Sequence, residues 1–137
     1  MTKKILCATD GAAHSENAVQ LAGEMAAKFG ADLGVCIVNV AHGGARGPLI
    51  YTMEDSDVKR VLDSAAAAAK KAGAKKVQEI ALRSRDAAAA IVQYAEENGF
   101  DHIVTGTGDK HGVSRLVLGS VAADVAARAH GTVTIAR

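Results

Sequence analysis

The sequence has no long apolar run and no block of charge of one sign, and each absence excludes a class of function. No apolar stretch approaches the roughly eighteen residues that a membrane-spanning helix needs, so we expect a soluble protein with no membrane partner. The formal net charge is +1, with 16 basic and 15 acidic residues spread along the chain. Charge therefore indicates neither a nucleic-acid-binding surface nor an acidic arm.

Cysteine is also scarce. The chain has two cysteines, Cys7 and Cys36, and both lie inside apolar runs. They fall on strands that are expected to be neighbours, which allows them to approach, but buried free thiols that pack as small apolar side chains are the preferred interpretation. The opening MTKKILCATD has too short an apolar stretch for a secretory signal peptide. We therefore expect a cytoplasmic protein with reduced thiols.

The length of 137 residues fits one domain, residues 1–137, in which strands and helices alternate. Short apolar runs bounded by turn residues predict strands, and longer stretches with apolar residues three and four apart predict helices. The predicted strands are residues 4–9, 33–40, 76–82, 101–105 and 132–136. The predicted helices are residues 14–29, 56–72, 86–98 and 120–130.

Local signals mark helix ends and loops. Ser15 is the predicted N-cap and Gly30 the predicted C-cap of the first helix. Thr52-x-x-Asp55 resembles a capping box in front of the second helix. Residues 41–52, AHGGARGPLIYT, hold three glycines and the only proline of the chain. This composition predicts one long, mobile loop.

The alternation of elements predicts an α/β fold, a doubly wound parallel sheet with helices on both faces. Ligands of such sheets bind at the carboxyl ends of the strands, where the strand order reverses. Two loops at this edge carry candidate chemistry. One is Asp10-Gly11 after the first strand, and the other begins at Gly106 after the fourth.

The loop GTGDKHGVSRLVLGS, residues 106–120, has the features of an anion site. Gly119-Ser120 opens a helix whose first N–H groups lack partners and whose dipole favours negative charge. The same loop contains Lys110, His111 and Arg115. The structural alternative is that the glycines only serve turns and that Ser120 is only an N-cap.

Other known chemistries fit this sequence less well. A Walker loop needs a Gly-Lys pair, which the chain lacks. Gly106, Gly108 and Gly112 miss the last spacing of the dinucleotide fingerprint by one residue and follow the fourth strand instead of the first. The histidines lack zinc-site spacing, and no nucleophile motif is present. A phosphorelay receiver would need an acid after the third strand and a lysine after the last, and both are missing.

The sequence resembles the universal stress protein family over nearly its whole length. The segments that carry the likeness are KILCATDGAAHSENAV, YAEENGFDHIVTGT and RLVLGSVAADVAARAHGTVTIAR. Nucleotide-binding members of that family carry G-x2-G-x9-G-[S/T] between their fourth strand and last helix. Gly106, Gly119 and Ser120 match this motif, whereas Asp109 stands in place of its second glycine, with Gly108 one residue earlier.

The resemblance implies a five-stranded parallel sheet of order 3-2-1-4-5 and homodimers that pair through the last strand. It also implies ATP across the carboxyl edge, with Mg²⁺ as a possible companion. The acid that ends the first strand would contact the nucleoside, backbone late in the second strand would meet adenine, and the glycine loop would hold phosphates. The implied nucleotide-binding positions are Thr9, Asp10, Val40, Gly106, Gly108, Asp109, Gly119 and Ser120.

The replacement at Asp109 is expected to weaken binding. A carboxylate about 6 Å from a phosphate charge costs on the order of 2–3 kcal/mol at an effective dielectric constant near 20, roughly a hundredfold in affinity. Lys110 can neutralise this carboxylate, or the carboxylate can ligate Mg²⁺ between the phosphates. We therefore expect a homodimeric regulatory domain that binds ATP weakly. The alternatives are a nucleotide-independent dimeric interaction module and slow ATP hydrolysis or self-phosphorylation.

Overall fold

The computed structural model describes residues 1–108 and 118–137 of the chain. Helices and strands alternate along these residues. In chain order they are β1 (Lys4–Ala8), α1 (Ala13–Phe29), β2 (Asp32–Gly43), β3 (Leu49–Tyr51), α2 (Asp55–Lys71), β4 (Val77–Ser84), α3 (Ala87–Glu97), β5 (His102–Gly106), α4 (Ser120–Arg128) and β6 (Thr132–Ala136).

The strands form one sheet in which five strands run parallel in the order β4-β2-β1-β5-β6. Counted along the chain, these are the third, second, first, fourth and fifth parallel strands, as the family resemblance implied. The expected strand count was wrong by one. The described sheet has a sixth strand, β3, which runs antiparallel to the end of β2.

The segment 41–52, predicted as one long loop, is mostly a hairpin. β2 extends to Gly43, whereas its last register pair with β1 joins Cys36 to Ala8. Beyond that point the backbone of β2 on this side needs other partners, and β3 supplies them, with Ala41 opposite Tyr51. The glycines and the proline are concentrated at the tip and beside it, while the apolar residues after the proline form the strand. Glycine content therefore overstated the length of the loop.

The core has two layers, one on each face of the sheet. Side chains of α1 and α2 pack with one set of strand residues, and those of α3 and α4 pack with the alternate set. Alternation along a strand also separates the thiols, because Cys7 faces the α1 and α2 layer while Cys36 faces the α3 and α4 layer. Both are buried free thiols, as predicted, and the sheet lies between them.

The structure confirms the helix end predicted from Gly30, but it does not confirm the two N-terminal caps predicted from Ser15 and Thr52. Gly30 ends α1 in the left-handed conformation with φ 63°, as predicted. Ser15 is not an N-cap, because α1 begins at Ala13 and the Ser15 side chain is buried. The expected capping box is also absent: the N-cap of α2 is Glu54, and the hydroxyl of Thr52 donates to the Val40 carbonyl. The Ser15 hydroxyl donates to the Ala12 carbonyl and contacts the Thr9 hydroxyl. Within the described residues, neither Ser15 nor Thr52 therefore accepts from a helix amide.

Candidate functional site

The candidate site lies where the chain diverges to the two faces of the sheet. β1 and β5 are adjacent parallel strands, with Cys7 opposite Val104. The chain leaves β1 into α1 on one face, and it leaves β5 toward α4 on the other. The carboxyl ends of such a pair form a crevice in which α/β proteins bind ligands. The two loops singled out in the sequence therefore meet at this crevice.

Asp10 lies on the β1 side of the crevice with its carboxylate held from two directions. Oδ1 accepts a hydrogen bond from the backbone N–H of Ala12 at 2.9 Å, and Oδ2 lies 2.9 Å from Nε2 of His14. The side chain is nevertheless 58% exposed. Its remaining lone pairs are accessible to a ligand, because a carboxylate offers about four acceptor positions.

Thr9 shapes the turn that carries Asp10. Its N–H donates to the carbonyl of Cys36, so β1 remains paired with β2 up to this residue. Its buried hydroxyl accepts from the N–H of Gly11 at 3.2 Å and lies 2.9 Å from the hydroxyl of Ser15. The sequence named Thr9 as a ligand contact, and the structure commits its hydroxyl to these internal bonds.

His14 is a site residue that the sequence reasoning did not assign to this crevice. The sequence considered it only among the five histidines whose spacing argues against a zinc site, yet its ring connects the two loops. Nε2 contacts Asp10, while Nδ1 and the main-chain oxygen lie against Gly106. The available signal was the short separation of the two residues, because Asp10 comes just after a strand and His14 follows it in the first turn of the next helix.

The motif glycines allow β5 and α4 to approach closely. A Cβ at Gly106 would lie 2.8 Å from the main-chain oxygen of His14, and one at Gly119 would lie 2.9 Å from that of Thr107. Both distances are too short for a side chain. The N–H of Gly119 donates to the carbonyl of Thr107 at 2.6 Å. Packing alone therefore requires glycine at both positions.

The start of α4 faces the same crevice from the β5 side. Gly119 is the N-cap and brings no side chain to the first amides, and Ser120 is the first helical residue and is exposed. Gly108, with φ 72°, lies beside Gly119. The predicted contacts Asp109, Lys110, His111 and Arg115 lie outside the described residues. The effect of Asp109 on affinity thus stays a prediction.

Val40 lies at the same edge of the sheet, but its carbonyl is already in use. The N–H and the hydroxyl of Thr52 both donate to it at 3.0 Å. The side chain of Asn39 fixes the next residue, Met53, because its amide donates to the Met53 carbonyl and its oxygen accepts from the Met53 N–H. A base that hydrogen-bonds to the Val40 carbonyl would have to replace Thr52.

An open groove of about 910 Å³ lies beside the crevice, between α1 and α2. It begins at Thr9 and Gly11 and extends to Lys71 and Ala72. Neither Asp10 nor the described part of the glycine loop lines it, so the groove adjoins the candidate site only through the turn at Thr9 and Gly11.

The described part of the chain contains neither a metal-binding cluster nor a membrane-spanning helix. Within residues 1–108 and 118–137, no three or more His, Cys, Asp or Glu side chains are grouped so that they could hold a metal ion. In those residues no helix has both the length and the apolar character to cross a membrane.

Comparisons with known proteins agree with the geometry. Residues 1–137 match the model of the universal stress protein family. Among solved structures, a universal stress protein in complex with cAMP is 25% identical, with 99% of this chain and 97% of that chain covered and a TM-score of 0.79. The universal stress protein from Archaeoglobus fulgidus is 27% identical, with both chains fully covered and a TM-score of 0.79. Its complex with dAMP is 26% identical, with 98% of each chain covered and a TM-score of 0.75. No curated protein matches the sequence.

Proposed function

Because the chain belongs to the universal stress protein family, we propose that it binds an adenine nucleotide, ATP, at the crevice between β1 and β5 and acts as a homodimeric regulatory domain in the cytoplasm. The observation that carries the proposal is that Asp10 and Gly106, at the ends of adjacent strands, are linked through His14 beside the start of α4, at the switch point of the sheet. Structures similar over 98–99% of this chain are complexes with cAMP or dAMP, which supports an adenine nucleotide as the ligand.

Each part of the nucleotide has a group in the crevice that suits it. The Asp10 carboxylate accepts hydrogen bonds from the sugar hydroxyls. The phosphates lie over Gly106, Gly108, Gly119 and Ser120, where the first amides of α4 and its dipole favour negative charge. Thr9 supports the turn of Asp10, and Asp109 opposes the phosphates. The adenine contacts the backbone of Val40 once the N–H and hydroxyl of Thr52 no longer donate to the Val40 carbonyl. Mg²⁺ would bind together with ATP, as the counter-ion of its phosphates.

Calorimetry on protein freed of copurified nucleotide tests this proposal. We expect Mg-ATP to bind with an affinity in the micromolar to millimolar range, because one acid opposes the phosphates. Asp109→Gly should tighten binding by roughly a hundredfold if repulsion is the cause. No heat and no competition at millimolar ATP would reject the proposal.

A nucleotide-independent dimeric interaction module is the second candidate. It is favoured by the close packing that already explains Gly106 and Gly119, and by the two bonds on the Val40 carbonyl. Copurified nucleotide, detected by mass spectrometry after denaturation, would argue against it. Timed phosphate release with labelled ATP separates binding from slow hydrolysis or self-phosphorylation.

A further inference from the structure

His14 joins the two sides of the candidate crevice. From the first turn of α1, its Nε2 lies 2.9 Å from Oδ2 of Asp10. The same ring packs against Gly106, where a Cβ would lie 3.4 Å from Nδ1. The side chain is 21% exposed, so most of it is enclosed by the protein. One side chain thus fixes the position of the β1 acid relative to the end of β5.

The hydrogen-bond pattern defines what His14 does to Asp10. A carboxylate accepts hydrogen bonds, so the network assigns the ring proton to Nε2. Ala12 N–H holds Oδ1 and His14 Nε2–H holds Oδ2. Donors on both oxygens stop rotation of the carboxylate. Each oxygen keeps a lone pair for a hydroxyl, an arrangement that suits the two adjacent hydroxyls of a ribose.

The other ring nitrogen, Nδ1, gives a second and independent reason to look for a role of His14. Nδ1 is buried and has no hydrogen-bond partner in the described part of the chain. A buried polar atom without a partner destabilises the fold, and such atoms are few in native proteins. An apolar side chain at position 14 would avoid that penalty. Within the described residues, the contact of Nε2 with Asp10 is the favourable interaction that a histidine makes at this position and an apolar residue would not.

We propose that His14 is a positioning residue that holds Asp10 for the hydroxyls of a ribose, so that the site prefers nucleotides that carry them. This inference rests on the proposed function and extends it to the selection of the sugar. His14 acts through Asp10 and does not itself touch the nucleotide.

The test compares ATP with 2′,3′-dideoxyATP, which lacks both hydroxyls. Dissociation constants are measured by calorimetry for the wild type, His14→Ala, Asp10→Ala and the double variant. We expect the wild type to prefer ATP by about tenfold or more, as for hydrogen bonds to a charged group. His14→Ala should reduce that preference to about threefold or less and leave dideoxyATP binding unchanged. In the Asp10→Ala background, His14→Ala should change neither constant.

Two further variants separate positioning from folding. His14→Gln places an amide N–H near the position of Nε2 and should restore part of the preference for ATP. His130 is a matched control, because it also pairs with a carboxylate, that of Glu96 at 3.0 Å, but is 86% exposed and lies away from the crevice. His130→Ala should leave both dissociation constants unchanged.

The outcomes distinguish this inference from the proposed function. If the wild type binds neither nucleotide, the proposed function fails and this inference fails with it. If the wild type binds both nucleotides equally, only the inference on sugar selection fails. Equal losses for ATP and dideoxyATP in His14→Ala would show a merely structural role and overturn it. An unchanged preference in that variant would overturn it as well.

Discussion

Buried polar residues show how single side chains tie this sheet together. His102 lies in β5 and is buried. Its Nδ1 lies 3.1 Å from the hydroxyl of Thr2, and its Nε2 lies 2.7 Å from that of Thr134 on β6. Burial lowers the pKa of His102 below its ordinary value of 6.5, although the neighbouring Asp101 carboxylate acts in the opposite direction. The folded state therefore favours the neutral form of the His102 ring.

This depressed pKa predicts a pH dependence of stability. Between the folded pKa and about 6.5, the unfolded chain binds more protons at this residue, so the free energy of unfolding rises with pH. The contribution of His102 is complete above about pH 6.5 and is lost as the pH falls. Its slope is at most about 1.4 kcal/mol per pH unit, the value for one proton.

Urea unfolding of the wild type and His102→Gln between pH 5 and 8 measures this effect. Glutamine keeps a polar amide but does not titrate in this range. We expect a shallower pH profile for the variant. Parallel profiles would contradict the assignment to His102.

The clearest difference between sequence and structure is at the level of elements. Helices and strands were found because their apolar spacing and closing glycines are local properties. The caps assigned to Ser15 and Thr52 were wrong because the Ser15 hydroxyl binds Thr9 and Ala12 in the turn after β1, and the Thr52 hydroxyl binds Val40 in β2. The position of Asp10 at the crevice could be predicted because it comes just after a strand. The role of His14 was missed because it depends on the approach of β5, which only the folded chain reveals.

Asn39 is the residue that attaches the hairpin exit to the sheet. It is 2% exposed, and its side chain bonds both backbone groups of Met53 just before α2. Asn39→Ala should lower the free energy of unfolding by about 1–3 kcal/mol, because it removes two part-buried hydrogen bonds to the backbone of Met53.

Thr52→Ala is the matched control for Asn39→Ala. It also removes hydrogen bonds to the hairpin, those of the Thr52 hydroxyl with the Val40 carbonyl and with His42 Nε2, but both are exposed, so the cost should be about 1 kcal/mol or less. Urea unfolding measures both variants. Equal losses of unfolding free energy in the two variants would show that the Asn39 hydrogen bonds stabilise the hairpin exit no more than the Thr52 bonds do.

At the scale of the whole molecule, β6 forms one edge of the parallel sheet, and β4 forms the opposite edge. Within the described residues, β6 pairs only with β5. Its sequence TVTIA alternates threonine with branched apolar residues, and Val133, Thr134 and Ile135 are half-buried. Unpaired strand edges are sites for pairing with another chain. The proposed homodimer would use this edge in a two-fold arrangement.

Sedimentation analysis tests the proposed dimer. The wild type should sediment as a dimer, and Ile135→Lys should shift it toward monomer, because a charge on an edge strand opposes pairing. Ile50→Lys is the control, since Ile50 is 60% exposed on β3, away from β6. A monomeric wild type, or dissociation by Ile50→Lys alone, would contradict pairing through β6.

The separation of the two thiols has a practical consequence. Cys7 and Cys36 are fully buried on opposite faces of the sheet, and burial raises the pKa of both, that of Cys36 to about 12. A maleimide dye added to the native protein should leave them unmodified. A cysteine introduced on the surface would then be the single labelled position, and the natural background can serve for fluorescence distance measurements without removing either native cysteine.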